Sequence, residues 1–172
     1  MGVLNEVNKP AVFTKMWEEL KPMDDKSEGQ KPLNILLVED APGDVRLVSE
    51  ALKQLPISHV LTVAKDGEEA LAQLRKGQEG GDASLPDLVL LDLNLPKING
   101  HEVLKEIKNT SRLKRIPVVI LTGSKSQEDI LKAYDAHANC YITKPSELSE
   151  YFEAIQSLGD FWFDFVRLPS LS

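Results

Sequence analysis

Short apolar segments alternate with segments of helical periodicity along most of this chain, and no other feature restricts its fold as strongly. The apolar segments occupy residues 35–38, 59–64, 88–91, 118–121 and 140–143. After each of them, apolar residues recur with the spacing of one buried helix face. Strands that are apolar throughout are typical of a parallel sheet covered on both faces. The chain is therefore predicted to form a doubly wound α/β domain with five parallel strands.

The two ends of the chain do not follow this alternation. Of the 172 residues, we assign 33–157 to the α/β domain and treat 1–32 and 158–172 as extensions. Apolar residues between Val12 and Leu20 have helical spacing, and a polar stretch leads from there to Pro32. The N-terminal extension is therefore either a flexible tail or an amphipathic helix that docks on a partner or on the domain.

Composition and charge argue against several classes of protein. The chain has 20 Lys and Arg against 27 Asp and Glu, a net charge of −7, whereas nucleic-acid binders usually carry a basic surface. No apolar run approaches the ~20 residues that span a bilayer, and the N-terminus lacks the apolar core of a signal peptide. Cys140 is the only cysteine, so an internal disulfide is impossible. We expect a cytoplasmic protein that binds neither nucleic acid nor membrane.

Charged or hydroxyl side chains stand at the ends of four of the five predicted strands. Glu39 and Asp40 follow the first strand, Asp92 the third, Thr122 the fourth and Lys144 the fifth. The carboxyl ends of parallel strands meet at one edge of the sheet, so these side chains are expected to converge. Carboxylates ~4–5 Å apart repel by about 3–4 kcal/mol at an effective dielectric near 20, and a cation relieves that repulsion. Lys144 supplies one positive charge, and the oxygen ligands also suit Mg²⁺.

Each of these residues, taken singly, fits an ordinary solvated strand end better than a functional site, and only the set favours a site. Zinc is disfavoured because the chain has one cysteine and no histidine pair with ligand spacing. We interpret His59, His101 and His137 as surface or loop residues.

Five short motifs in this order resemble the receiver domains of two-component response regulators, from about residue 33 to 157. They are Leu37-Val38-Glu39-Asp40, Leu90-Leu91-Asp92-Leu93-Asn94-Leu95-Pro96, Gly100, Leu121-Thr122-Gly123 and Tyr141-Ile142-Thr143-Lys144-Pro145. Each motif is weak alone, but their order, strand placement and spacing together are specific. The resemblance implies the flavodoxin-like receiver fold. It also implies a single-domain protein that accepts a phosphoryl group from a sensor histidine kinase and is not an enzyme in the usual sense.

The resemblance further implies a role for each residue at the sheet edge. Asp92 would be the phosphoacceptor, whose carboxylate attacks a phosphohistidine. Asp40 and Asp92 would bind Mg²⁺ directly, and Glu39 would bind it through a water molecule. Lys144 and Thr122 would contact the phosphoryl oxygens, which are the electrostatic and positioning roles that phosphoryl transfer needs.

Three further positions acquire roles from the same resemblance. Asn94 would offer its backbone carbonyl to the metal, and the side chains of Asn94 and Ser124 stand where receiver domains tune hydrolysis of the aspartyl phosphate. Tyr141, three residues before Lys144, occupies the position of the family's switch aromatic. Phosphorylation would draw Thr122 and Lys144 toward the phosphoryl group and turn Tyr141 inward. An ordinary strand tyrosine is the alternative for Tyr141.

The last predicted helix has an unusually wide apolar face. Between Leu148 and Val166 the apolar residues cover an arc of roughly 200°, about double the minimum for a helix on one core face. Either the tail folds back on its own domain or its aromatic residues form a self-association surface, and we favour a two-fold homodimer. The predicted interface consists of Phe161, Trp162, Phe163 and Phe165.

A finer resemblance includes this tail. Together with residues 113–122 and 139–144, it resembles the cyanobacterial phytochrome response regulators. That resemblance implies a phytochrome-type histidine kinase as phosphodonor, and homodimers. The N-terminal extension departs from the pattern.

Three other classes of protein fit less well. A pseudo-receiver that serves only as a scaffold would have lost Asp92 or Lys144, and neither is lost. A Mg²⁺-dependent phosphohydrolase with an aspartyl nucleophile has a DxD-type motif after its first strand, whereas Asp92 follows the third strand and Asn94 takes the motif's second position. A nucleotide-binding domain is disfavoured because no GxGxxG or GxxxxGK loop follows the first strand.

Overall fold

Five parallel strands form one sheet, with helices on both of its faces. The structure is a computed structural model that describes residues 31–80 and 85–169, without the side chains of residues 164 and 165. The strands are β1 (Leu33–Val38), β2 (His59–Ala64), β3 (Leu88–Leu91), β4 (Val118–Thr122) and β5 (Cys140–Thr143). The helices are α1 (Pro42–Lys53), α2 (Gly67–Glu79), α3 (Gly100–Asn109), α4 (Gln127–Asp135) and α5 (Leu148–Asp160), followed by a π-helix (Phe161–Phe165). The helix predicted near the N-terminus lies outside the described residues.

The order of the strands places the site. It is β2-β1-β3-β4-β5, and every neighbouring pair is parallel. The chain moves outward from β1 to β2 and then returns to β3 on the other side of β1, so the winding direction reverses between β1 and β3. In open sheets, ligands bind at the carboxyl ends of the strands where this reversal occurs. The predicted doubly wound fold is confirmed.

Alternate residues of the central strands face two separate cores. In β1, Leu36 and Val38 pack on the side of α2, α3 and α4, whereas Ile35 and Leu37 pack on the side of α1 and α5. Burial on both faces explains why these strands are apolar throughout. The edge strand β2 is less buried, with Val60 exposed.

Side-chain caps define where the helices next to the sheet edge begin. Asn99 Oδ1 accepts a hydrogen bond from the Glu102 N–H at 3.0 Å, and Glu102 Oε2 accepts one from the Asn99 N–H at 3.3 Å, which is a capping box. Asp66 caps α2 and Ser126 caps α4 in the same general way. These caps set the lengths of the loops that leave the sheet edge.

Gly100 allows α3 to begin directly against the backbone that follows β3. A Cβ atom at Gly100 would lie 2.1 Å from the carbonyl oxygen of Asp92 and 2.6 Å from the Cα of Leu93. The Gly100 N–H donates to the carbonyl of Leu93 at 2.9 Å. The close approach therefore requires a residue without a side chain.

The C-terminal aromatic residues have different environments. Trp162 has only 7% of its surface exposed and packs in the core between α1, α5 and the sheet, with Leu158. Its predicted place on an uncovered surface is therefore wrong: this part of the tail folds back on its own domain. Phe161 is 56% exposed, and its ring meets the Trp162 ring edge-on with centroids 5.8 Å apart. Phe163 is half-buried against the same core, and the Phe165 side chain lies outside the described part.

Within residues 31–80 and 85–169, no helix is both long and apolar enough to cross a bilayer.

Candidate functional site

The carboxylate of Asp92 is held in place from both sides. The residue follows β3 directly and is only 6% exposed. Its N–H donates to the carbonyl of Val38 at 3.0 Å, so its backbone is still fixed by the sheet. Oδ1 accepts a hydrogen bond from the Asn94 N–H at 3.0 Å, and Oδ2 accepts one from Lys144 Nζ at 2.8 Å.

Three carboxylates form an acidic cluster at this edge of the sheet. Glu39, Asp40 and Asp92 each offer one oxygen, and these oxygens lie within 4.8 Å of one another. Glu39 and Asp92 are buried and Asp40 is exposed, so the cluster opens to solvent on the Asp40 side. Hard carboxylate oxygens at this spacing fit a divalent cation such as Mg²⁺.

Lys144 neutralises part of this cluster. It follows β5, is held by its N–H bond to the Thr122 carbonyl at 2.8 Å, and its side chain is 11% exposed. Nζ donates to Asp44 Oδ2 at 2.8 Å, to Asp92 Oδ2 at 2.8 Å and to Glu39 Oε2 at 2.5 Å.

The charges of this cluster depend on one another. Burial by itself would lower the pKa of the Lys144 ammonium, but the bonds to Asp44, Asp92 and Glu39 more than offset it and hold that pKa above its ordinary value. Burial raises the pKa of the Glu39 carboxyl, and the bond from Lys144 opposes that rise. Lys144 is therefore a permanent cation at neutral pH.

Thr122 joins the loops that follow β3 and β4. Its side chain is fully buried, and its Oγ1 lies 3.4 Å from Asn94 Nδ2 and 3.4 Å from the Ser124 N–H nitrogen, accepting from both. Asn94 is exposed and also donates its N–H to Asp92. It therefore contacts two predicted catalytic residues, Asp92 after β3 and Thr122 at the end of β4.

Tyr141 contacts the same loop from the other side. Its ring is half-buried against the core under α4, and its hydroxyl donates to the Ser124 carbonyl at 3.1 Å. Burial raises the pKa of this hydroxyl, so it stays a donor at neutral pH. The two predicted switch residues, Thr122 and Tyr141, thus meet at Ser124.

Asp44, which binds Lys144, was not predicted from the sequence. It belongs to the first turn of α1 and not to a strand end, so the rule that selected the other residues passes over it. The available indication was its place shortly after Asp40, in the first turn of a helix that begins at Pro42.

The contacts that Asp129 makes with Ser124 and His101 beside the site were also not predicted. Ser124 Oγ donates to Asp129 Oδ2 at 2.6 Å, and His101 Nε2 lies 3.1 Å from Asp129 Oδ1. The bond from Ser124, followed by that from His101, lowers the pKa of the Asp129 carboxyl. His101 was interpreted as a surface or loop residue; it lies not in a loop but in α3, where its partly exposed side chain links α3 to α4.

The fold and the acidic edge are those of a receiver domain, and residues 35–156 match the response regulator receiver domain family. The chain belongs to this family. It is 47% identical over 143 residues to response regulator Rcp1 of Synechocystis sp., a match that covers 83% of this chain and 97% of Rcp1. The predicted resemblance to receiver domains, and to cyanobacterial phytochrome response regulators within them, is confirmed.

Two solved structures show the same similarity in three dimensions. The crystal structure of the phosphorylated cyanobacterial phytochrome response regulator RcpA is 48% identical with a TM-score of 0.77, covering 81% of this chain and all (100%) of that one. The Mn²⁺-bound form of Rcp1 is 48% identical with a TM-score of 0.76, covering 80% of this chain and 99% of that one.

Proposed function

We propose that this protein accepts a phosphoryl group from a histidine kinase onto Asp92, in a Mg²⁺-dependent reaction, and changes its binding surface in response. One observation carries the proposal: the buried Asp92 carboxylate lies 2.8 Å from a permanently charged Lys144, next to the carboxylates of Glu39 and Asp40.

The acidic cluster suits the metal that this reaction needs. Asp40 and Asp92 would bind it directly, Glu39 through a water molecule, and Asn94 through its backbone carbonyl. When bound, Mg²⁺ neutralises charge on the phosphoryl oxygens and orients them. The relative Rcp1 has a Mn²⁺-bound form, which supports a divalent ion here.

The residues of the chain supply the remaining chemistry. An oxygen of Asp92 forms a bond to phosphorus while the bond from phosphorus to the imidazole nitrogen breaks, and the imidazole leaves. One N–H of Lys144 that now donates to the Asp92 carboxylate would donate to a phosphoryl oxygen instead. In the later hydrolysis, water attacks phosphorus, the bond from phosphorus to the Asp92 oxygen breaks, and inorganic phosphate leaves as the carboxylate is regenerated. Asn94 and Ser124 would stand at the approach to the phosphorus.

Thr122 and Tyr141 would carry the conformational response. Phosphorylation adds about −1.5 to −2 of charge beside Thr122, whose hydroxyl becomes a donor to the phosphoryl group. Movement of the Thr122 hydroxyl toward the phosphoryl group would shift the oxygen that now accepts from the Ser124 N–H, and the Tyr141 hydroxyl is bonded to the carbonyl of that same residue. A change at Asp92 thus reaches the β4–α4 loop through two contacts on Ser124.

Mass spectrometry after incubation with acetyl phosphate and Mg²⁺ tests the phosphoacceptor. The wild-type chain should gain one phosphoryl group, and Asp92→Asn should gain none. A second arm uses a radiolabelled, autophosphorylated phytochrome-type histidine kinase, proposed as the donor because of the phytochrome response regulators among the relatives. Labelling that persists in Asp92→Asn, or its absence in the wild type, would contradict the proposal.

We also propose that residues 33–157 form the receiver unit in the cytoplasm and that the C-terminal segment mediates a homodimer. Exposed apolar side chains on α4 (Leu131 and Tyr134), at the start of α5 (Leu148) and in the π-helix (Phe161) support a contact surface. With Trp162 buried in its own core, Phe161 is the aromatic residue of the described tail that is best placed for such contact.

A further inference from the structure

The three carboxylates that hold Lys144 belong to two different groups. Glu39 and Asp92 are members of the acidic cluster that fits a metal ion. Asp44 is outside that cluster, in the first turn of α1, and its Oδ2 lies 2.8 Å from Lys144 Nζ.

A bound cation and a phosphoryl group would both change the contacts of Glu39 and Asp92. In this structure Glu39 Oε1 accepts from the Ala41 N–H and Asp92 Oδ1 from the Asn94 N–H, which leaves Oε2 and Oδ2 for Lys144. A metal ion draws on the same carboxylates, and phosphorylation converts the Asp92 carboxylate into an acyl phosphate, whose carboxyl group no longer carries a charge of its own. Asp44 is not a member of the acidic cluster, so neither event draws directly on its carboxylate.

We propose that Asp44 is a positioning residue that anchors the Lys144 ammonium at the site while Glu39 and Asp92 are engaged by metal and phosphoryl group. The inference rests on the proposed function of Asp92 as phosphoacceptor. It adds a residue from α1 to a site otherwise built from strand ends.

The burial of Lys144 explains why such an anchor would be needed. A buried ammonium that loses its counter-charges is destabilised, because burial disfavours the charged form. Without Asp44, Lys144 would rely on Glu39 and Asp92, the two carboxylates that the metal ion and the phosphoryl group also engage. The anchor keeps a cation available where negative charge develops, and preorganised charge of this kind accelerates phosphoryl transfer.

Asp44→Asn tests the anchor because it removes the charge and keeps the shape. Glu50→Gln is the matched control: it makes the same charge change on the same helix, at an exposed residue paired with Lys53. Calorimetry would measure the affinity for Mg²⁺ alone, and then for beryllofluoride, a phosphoryl mimic, at saturating Mg²⁺. We expect Asp44→Asn to weaken beryllofluoride binding about tenfold and to leave the Mg²⁺ affinity within about threefold of wild type.

A double variant shows whether the effect passes through Lys144. In a Lys144→Met background, adding Asp44→Asn should change beryllofluoride affinity by less than about twofold, because coupled residues are not additive. Circular dichroism checks that each variant folds. Should Lys144→Met not fold, the rate of Asp92 labelling by acetyl phosphate, compared between Asp44→Asn and Glu50→Gln, provides the deciding measurement.

The outcomes separate the two proposals. A wild-type chain that neither binds beryllofluoride nor takes label overturns the proposed function itself. If the wild type binds beryllofluoride and Asp44→Asn binds it with the same affinity, only the proposed role of Asp44 is overturned. A parallel loss of Mg²⁺ affinity, or an undiminished effect in the Lys144→Met background, assigns Asp44 to a different role and also overturns it.

Discussion

Two glycines show how differently the same residue type is used in this chain. Gly100 faces backbone atoms of Asp92 and Leu93, whereas a Cβ at Gly43 would meet no atom within 4 Å. Gly100→Ala should destabilise the fold by about 3 kcal/mol or more, because backbone must move. Gly43→Ala in α1 should instead stabilise it by about 0.5–1 kcal/mol.

Urea unfolding of both glycine variants measures this difference. A Gly100→Ala variant as stable as wild type would show that α3 can withdraw from the strand end without cost.

The hydrogen bond from Ser124 to Asp129 gives a pH-dependent contribution to stability. The folded pKa of Asp129 is depressed, so the bond stabilises the fold above the unfolded pKa of about 3.9, and this contribution is lost as pH falls through the folded pKa. Ser124→Ala should cost about 1 kcal/mol at pH 7, a value reduced for the 32% exposure of Asp129. The cost should shrink below about pH 4.

Urea midpoints of wild type and Ser124→Ala between pH 7 and pH 3 provide the measurement. Ser157→Ala, at an exposed position in α5, should show a difference that does not vary with pH. A cost for Ser124→Ala that is the same at both pH values would exclude Asp129 as the acceptor that matters.

At the scale of elements, α5 and the π-helix place two adjacent aromatic residues in opposite environments. Trp162 is 7% exposed and Phe161 56%. Trp162→Ala should destabilise the fold by about 3–5 kcal/mol, as expected for a buried aromatic residue, and Phe161→Ala by less than about 1 kcal/mol. Thermal and urea unfolding of the two variants compare them directly; equal losses would contradict the packing of this turn.

Because the two residues differ in this way, they also separate folding from self-association. Phe161→Asp should leave the fold intact and shift the proposed dimer toward monomer in sedimentation equilibrium. Truncation before the tail is a poorer test, since it also removes Trp162 from the core. A dimer unchanged in Phe161→Asp would place the interface elsewhere, and Lys53→Asp on α1 serves as a charge-changing control.

At the scale of the whole molecule, we expect the acidic cluster to couple the stability of the fold to a bound metal ion. A ligand that binds only the folded state at 100 times its dissociation constant adds about 2.7 kcal/mol. We therefore expect Mg²⁺ to raise the melting temperature of the wild type. Asp40→Asn should abolish most of the rise, and Glu153→Gln, an exposed acid in α5, should preserve it.

Scanning calorimetry with Mg²⁺ and with a chelator measures this coupling. An equal rise in Asp40→Asn would mean that the ion acts elsewhere on this acidic surface, and the metal assignment would have to be abandoned.

Much of this architecture was predictable because local patterns follow directly from burial. A strand buried on both faces must be apolar throughout, so β3 has the bounds that the sequence predicted. The less buried strands β2 and β5 also have the predicted bounds. The convergence of Glu39, Asp92 and Lys144 followed from one topological rule about the ends of parallel strands.

Other features depended on contacts between distant segments. Asp44 and Lys144 are 100 residues apart, and only the tertiary fold brings the start of α1 next to the residue that follows β5. His101 reaches Asp129 because α3 and α4 lie side by side, 28 residues apart in the chain. Periodicity could show that Phe161 and Trp162 belong to an apolar arc. It could not show which of the two the core would bury, because that choice depends on the space left between α1, α5 and the sheet.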